Sequence, residues 1–143
     1  MSTRKIVIDT GIILEHLVHD DGPSILRSAM NEYFCYTTAF NAIEVFALAR
    51  SEREIQAMDD AMSAMKVLGL NSKSAKTVGA IFSRQQAAGR NALCLLIAGV
   101  CKESKLPIVT MNPKRFSGIK GLQVIPVREL AIGHRTVRSV SHS

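Results

Sequence analysis

RKIVIDTGIILE, residues 4–15, places a short apolar, β-branched run directly before a carboxylate, Asp9. Such a run near the start of a chain predicts a strand, Lys5–Ile8, that is buried on both faces, and hence a parallel sheet covered by helices. Ligands of parallel sheets bind at the carboxyl ends of the strands, where Asp9 lies. Asp is also a favoured first residue of a helix, so this stretch alone leaves a plain capping role for Asp9 equally open.

Length and composition predict one globular domain. The chain has 143 residues, of which 47% are hydrophobic and 21% charged, and a chain of this size can bury a substantial core. The sequence from residue 133 onward, GHRTVRSVSHS, is polar, basic and serine-rich. We therefore expect a single domain over residues 1–132 and a flexible basic tail over residues 133–143.

The charge and the cysteines bear on partners and location. A net charge of +6 favours a polyanionic partner such as nucleic acid, or an acidic protein. The cysteines Cys35, Cys94 and Cys101 stand in apolar contexts, as reduced thiols of a cytosolic protein do. The apolar run 92–101 is too short to span a bilayer, and Asp9 interrupts the only candidate signal segment. We expect a cytoplasmic protein without a membrane segment.

Strands and helices are predicted to alternate along the chain. Strands are predicted for residues 5–8, 33–40, 106–110 and 123–127, and helices for residues 12–18, 24–31, 51–68, 74–88 and 91–105, with a further helix capped by Asn41. In that helix Ile43, Phe46, Ala47 and Ala49 are expected to face inward. This alternation predicts an α/β three-layer fold, a parallel sheet flanked by helices with right-handed crossovers.

Three methionines recur at helical spacing. Met58, Met62 and Met65 would share one face of the predicted helix over residues 51–68. We interpret that face as core or as a dimer seam rather than as a groove for a partner peptide, although Met adapts well to varied partners.

Four segments in this order resemble the PIN-domain family, in particular the single-domain toxins of the virulence-associated protein C (VapC) type. They are IVIDTG, TTAFNAIEVF, LLIAG and IVTMNPKRFSGIKGLQVI, and the resemblance spans roughly residues 4–127. It implies a PIN-like parallel sheet flanked by helices and cleavage of RNA with Mg²⁺ or Mn²⁺ held by clustered acidic residues. It also implies a homodimer and a small antitoxin protein whose tail lies across the site.

Carried over by position, the resemblance gives the site residues. Asp9 and Glu44 match the first two acidic positions and would bind the metal. Cys94 stands where the family has a third acidic residue, and a thiol is a soft ligand poorly suited to Mg²⁺. Asn112 matches the fourth position as a neutral oxygen ligand. Arg115 takes the place of a further acidic residue of this loop.

Several of these residues have simpler interpretations. Glu44 follows Asn41 by three positions and could close a capping box with it. Cys94 is more often a buried small side chain in such a context than a ligand. Lys114 and Arg115, and more weakly Arg90, would flank the crevice and hold RNA phosphates, but a solvated charged turn is an equally good interpretation of the first two.

Two functions follow from the resemblance. The first is a metal-dependent endoribonuclease toxin, weakened by the loss of one acidic ligand, in which divalent ions activate water and neutralise the leaving oxygen. The second is a degenerate PIN domain that binds RNA or a partner protein without cleavage, and in which Cys94→Asp would restore cutting. A receiver domain or a haloacid-dehalogenase-like phosphatase is disfavoured, because the adjacent acidic pair of the former is absent and Gly11 breaks the Asp-x-Asp of the latter.

Overall fold

The computed structural model describes residues 4–85, 91–132 and 135–136. Strands and helices alternate along most of this chain. They are β1 Arg4–Ile8, α1 Thr10–Val18, α2 Ile25–Met30, β2 Tyr33–Thr38, α3 Ala39–Phe46, α4 Glu52–Ser63, β3 Lys66–Leu68, α5 Ser72–Gln85, α6 Ala92–Ser104, β4 Ile108–Thr110, β5 Val124–Pro126, β6 Ala131–Ile132 and β7 Arg135–Thr136, with short 3-10 helices at Pro113–Phe116 and Val127–Glu129.

Five parallel strands form the main sheet in the order β3-β2-β1-β4-β5. The first strand lies at its centre, with Val7 paired to Tyr36 of β2 on one side and to Ile108 of β4 on the other. Because the strands are parallel, their carboxyl ends meet at one edge of the sheet, and Asp9 follows the central one.

The core lies in two layers, one on each face of the sheet. Successive side chains of a strand point to opposite faces. Ile6 and Ile8 therefore pack in one cluster with α1, α2, α3 and α4, while Val7 packs in the other with α5 and α6. The predicted three-layer fold, a parallel sheet flanked by helices, is confirmed. Met58, Met62 and Met65 are buried in the first cluster, which confirms the packing interpretation of this methionine face.

Two of the predicted elements are wrong in their limits. The helix expected over residues 51–68 ends at Ser63, and Lys66–Leu68 forms a strand that pairs with Tyr36–Thr38. Ala64 and Met65 favour helix, but the helix does not continue through them, because Lys66–Leu68 pairs its main chain with the open edge of β2. The second strand also ends earlier than expected, at Thr38, because this residue starts a helix.

The start and the buried face of α3 also differ from the prediction. Thr38, and not Asn41, is the N-cap, and the two side chains form the capping box between them. The helix therefore begins at Ala39, two residues before Asn41. Val45 is fully buried, while Ile43, which was expected to face inward, is 52% exposed.

Beyond the main sheet, Ala131–Ile132 and Arg135–Thr136 pair as a small antiparallel hairpin. Residues 133–134 and 137–143 lie outside the described residues, so the flexible tail stays a prediction. Of the helices in the described ranges, none combines the length and the apolar character that a membrane crossing requires.

Gly99 allows α5 and α6 to approach closely. A Cβ at this position would lie 3.2 Å from the Cα of Val78 and would overlap the Val78 side chain. We expect Gly99→Ala to lower the free energy of unfolding by about 1–3 kcal/mol, the usual effect of overpacking. Urea unfolding followed by circular dichroism measures this change.

The matched control is Gly79→Ala on the facing helix. A Cβ there meets nothing within 4 Å, so the better helix propensity of Ala should raise the free energy of unfolding by about 0.5–1 kcal/mol. Equal effects of the two substitutions would contradict the close approach of α5 and α6 at Gly99.

Candidate functional site at the carboxyl edge of the sheet

Asp9 lies between β1 and α1 and is 2% exposed. Its backbone takes the N-cap position of α1, but its carboxylate makes no capping hydrogen bond. The carboxylate instead accepts a hydrogen bond from Thr110 Oγ1 on Oδ2 at 2.6 Å and one from Asn41 Nδ2 on Oδ1 at 3.0 Å. The side chain therefore joins the ends of neighbouring strands rather than capping its own helix.

Glu44 projects from α3 toward the same edge. The capping box of that helix uses Thr38 and Asn41, so the alternative of a Glu44–Asn41 box is wrong. Thr38 takes the capping role because it already stands at the end of β2 with its hydroxyl beside the first turn. Glu44 is left to accept a hydrogen bond on Oε1 from the hydroxyl of Thr10.

Asn41, predicted from the sequence only as a helix cap, is a fully buried residue of the site. Its Oδ1 accepts hydrogen bonds from the backbone and the hydroxyl of Thr38, and its Nδ2 donates to Asp9 Oδ1 and to Thr10 Oγ1, each at 3.0 Å. Thr10 and Thr110 were also missed. All three are polar residues at or shortly after the end of an apolar strand. This placement is the feature of the sequence from which they could have been predicted as site residues.

Arg115 connects the predicted positions to one another. Its Nη1 lies 3.4 Å from Asp9 Oδ1, and its Nη2 donates to both oxygens of Glu44 at 3.1 and 3.0 Å. Its Nε donates to Cys94 Sγ at 3.2 Å. The 3-10 helix Pro113–Phe116 carries Arg115, and the buried ring of Phe116 anchors that helix in the second core cluster.

Burial and pairing have opposite effects on the charged groups. Burial raises the pKa of the Asp9 carboxyl above its ordinary value, and this outweighs the lowering by the Thr110 hydroxyl and by Arg115. For Arg115, burial acts to lower the pKa of the guanidinium, but Asp9, Cys94 and Glu44 together outweigh it and raise this pKa. The cation is therefore held by its neighbours in spite of desolvation.

The other predicted residues lie at or beyond the rim. Asn112 is exposed, and its backbone N–H donates to Thr110 Oγ1 at 3.0 Å, which links it to Asp9 through one hydroxyl. Cys94 is buried in the second core cluster while its sulfur faces Arg115. Lys114 is exposed. Arg90 falls outside the described residues.

Divalent metal ions do not fit this arrangement. Mg²⁺ and Mn²⁺ need several oxygen ligands around one point, but each carboxylate oxygen of Asp9 and Glu44 already has a partner, and Arg115 stands between the two groups. Within the described ranges, no group of three or more His, Cys, Asp or Glu residues could hold a metal ion. No buried polar side-chain atom there is left without a hydrogen bond.

The raised pKa of Asp9 predicts a pH dependence of stability. An acid whose pKa is higher in the folded state binds more protons folded than unfolded, so its contribution to stability falls as pH rises through the interval between the two values. We expect wild type to lose stability relative to Asp9→Asn as pH rises above about 4, the ordinary pKa of Asp, because an asparagine at this position does not titrate.

Urea unfolding of both proteins at several pH values in this interval measures the difference. Other titrating groups are common to both proteins and cancel. A wild type that gains stability relative to the variant as pH rises would contradict the raised pKa, since it would mean that pairing with Arg115 outweighs burial.

Several solved structures share this fold. A chain of DNA-bound VapBC from Salmonella typhimurium is 20% identical, covers 86% of this chain and 97% of its own, and superposes with a TM-score of 0.72. A chain of VapBC-1 from nontypeable Haemophilus influenzae is 21% identical, covers 84% of this chain and 96% of its own, and has a TM-score of 0.68. A chain of a toxin-antitoxin complex from Klebsiella pneumoniae is 20% identical, covers 85% of this chain and 96% of its own, and has a TM-score of 0.65. At these identities the likeness establishes the fold.

Sequence comparison gives the family. Among curated protein sequences, no significant match to this chain was found. The family profile described as PIN domain matches residues 6–122, a span that contains Asp9, Glu44, Cys94 and Arg115. The chain therefore belongs to the PIN-domain family.

Proposed function

We propose that this protein is a VapC-like PIN domain of a toxin-antitoxin pair that binds RNA at the carboxyl edge of its sheet and does not cleave it as encoded. The observation that carries this proposal is the contact of one guanidinium, that of Arg115, with both Asp9 and Glu44. Cleavage would need a divalent ion in the place that this cation takes.

An arginine supplies only part of what a metal ion supplies. Its positive charge offsets the repulsion between the two carboxylates, and for any pair of like charges about 4 Å apart this repulsion is roughly 1–4 kcal/mol. It has no open coordination position at which water could bind and lose a proton, and its guanidinium stays protonated. The site therefore keeps the electrostatic balance of a metal centre without its means of activating water.

Binding of RNA and of a protein partner is supported by different observations. The net charge of +6 and the exposed Lys114 at the rim of the site favour an anionic strand. The similar solved structures are described as VapBC and toxin-antitoxin complexes, which supports an antitoxin as the protein partner. A homodimer and a cytoplasmic location stay predictions from the sequence.

A metal-dependent endoribonuclease is the second candidate. It is favoured by the convergence of Asp9, from the end of β1, and Glu44, from α3, on one positive charge. For this function the Arg115 side chain would have to turn out of the site, and Mg²⁺ or Mn²⁺ would take its place between the carboxylates.

Metal binding separates the two candidates. We expect Mn²⁺ to leave the melting temperature of wild type unchanged and to raise that of the double variant Cys94→Asp, Arg115→Asp, which has four carboxylates and no internal cation. At 100 times the dissociation constant, binding adds about 2.7 kcal/mol, or roughly 5–10 °C in a domain of this size. Differential scanning fluorimetry with and without Mn²⁺ measures the shift.

Three further proteins sharpen this test. Cys94→Asp alone should not respond to Mn²⁺, because a third carboxylate beside Arg115 holds the guanidinium more strongly. Arg115→Asp alone removes the cation but leaves the thiol, and should respond less than the double variant. Lys114→Asp makes the same charge change on the exposed neighbour and should leave the melting temperature insensitive to Mn²⁺.

Cleavage of a labelled single-stranded RNA is measured on the same proteins. Wild-type cleavage that requires Mn²⁺ and that Asp9→Asn abolishes would overturn the first proposal in favour of the second. RNA binding by wild type without Mn²⁺-dependent cleavage, together with a gain of Mn²⁺ response only after removal of Arg115, is the expected result.

A further inference from the structure

A second feature of the chain is a basic groove between α5, α6 and the loop that follows Phe116. We call it the α5–α6 groove. It has a volume of about 750 Å³, and its lining includes Lys76, Ile81, Arg84, Lys102, Ile119 and Lys120. This volume is in the range of binding clefts. The groove shares no residue with the cluster around Asp9.

The walls of the α5–α6 groove are cationic, and its floor is apolar. Lys76, Arg84, Lys102 and Lys120 supply four positive charges, while no acidic residue lines the groove. Ile81 and Ile119 are buried beneath them. Four like charges around one cleft raise its potential and attract anions.

These cations have no partners in the described part of the chain. None of the four side chains forms an ion pair or a hydrogen bond there. Glu103, which accepts a hydrogen bond from the Thr77 hydroxyl at 2.9 Å, is itself paired with Lys73 at 3.4 Å and lies outside the lining. The positive charge of the groove is therefore not neutralised from within.

We propose that the α5–α6 groove binds backbone phosphates of single-stranded RNA and leads the strand to the Asp9 site. This inference rests on the proposed RNA binding and deepens it. Lysines act as flexible point charges on phosphate, and the apolar floor suits the sugar or base between phosphates. Gly118 follows Arg115 by three residues, so the groove begins within about 11 Å of the site.

An acidic protein segment is the competing occupant. A bound peptide usually adds a strand to an open sheet edge or inserts apolar side chains into pockets. The α5–α6 groove lies between helices and a loop, and only Ala80, Ile81 and Ile119 among its lining residues have apolar side chains. Charge without such pockets favours the phosphate backbone.

The test compares two triple variants of the full chain with equal changes in charge. The groove variant is Lys76→Gln, Lys102→Gln, Lys120→Gln. The control variant is Arg50→Gln, Arg53→Gln, Lys66→Gln, three exposed positions around α4 and β3, away from the α5–α6 groove. Fluorescence anisotropy of a labelled single-stranded RNA is recorded over a range of salt, and thermal unfolding checks that each variant is folded.

We expect the groove variant to lose at least tenfold in affinity near physiological salt. Single-stranded nucleic acids release about 0.7 counterion per phosphate contact, so loss of three contacts should reduce the slope of log K against log salt by about 2. The control variant should keep the wild-type slope.

Each of the other outcomes would contradict the groove proposal, the proposed function or both. Equal losses of RNA affinity in both triple variants would mean that the affinity depends on net charge alone, which would contradict binding in the α5–α6 groove. Unchanged binding by the groove variant overturns the groove and leaves the proposed function standing. Stronger competition by polyglutamate than by RNA of equal charge would assign the groove to an acidic protein. No RNA binding by wild type at low salt would overturn both proposals.

Discussion

The ion pair of Arg115 with Asp9 and Glu44 is the interaction on which the carboxyl edge of the sheet depends. A carboxylate as buried as that of Asp9, at 2% exposure, loses several kcal/mol of hydration unless charges and hydrogen bonds replace it. Arg115, Thr110 and Asn41 supply those replacements. Removing Arg115 would leave the carboxylates of Asp9 and Glu44 without the cation that contacts both.

The sheet topology brings these distant residues together. The chain runs from the central β1 to β2 on one side and later reaches β4 on the other. Connections that leave in opposite directions open a crevice at the carboxyl ends, where ligands of open α/β sheets bind. Asp9 follows the last residue of β1, and Thr38 and Thr110 are the last residues of β2 and β4, so polar side chains from three separate segments meet there. Arg115 enters on the 3-10 helix after β4.

The sequence predicted the parts of the fold that depend on strong local patterns. The apolar run before Asp9 identified the central strand, and the spacing of the later segments identified the strand ends that meet it. It missed β3, because a three-residue strand is stabilised by pairing with Tyr36–Thr38 and not by its own propensity. It misplaced the cap of α3, because Thr38-x-x-Asn41 and Asn41-x-x-Glu44 have the same spacing, and only the end of β2 decides between them.

The direction of Arg115 could not be predicted either. A long side chain after a strand can equally well reach solvent, and the sequence therefore suggested phosphate binding for it. Its position inside the site also accounts for Cys94, whose sulfur accepts a hydrogen bond from Arg115 Nε at 3.2 Å. With two carboxylates, the guanidinium has a partner for each of its Nη atoms and the thiol takes its Nε. In the proposed function, Cys94 and Arg115, which stand where the resemblance implies acidic residues, act together, because the guanidinium that contacts both carboxylates also donates to the thiol.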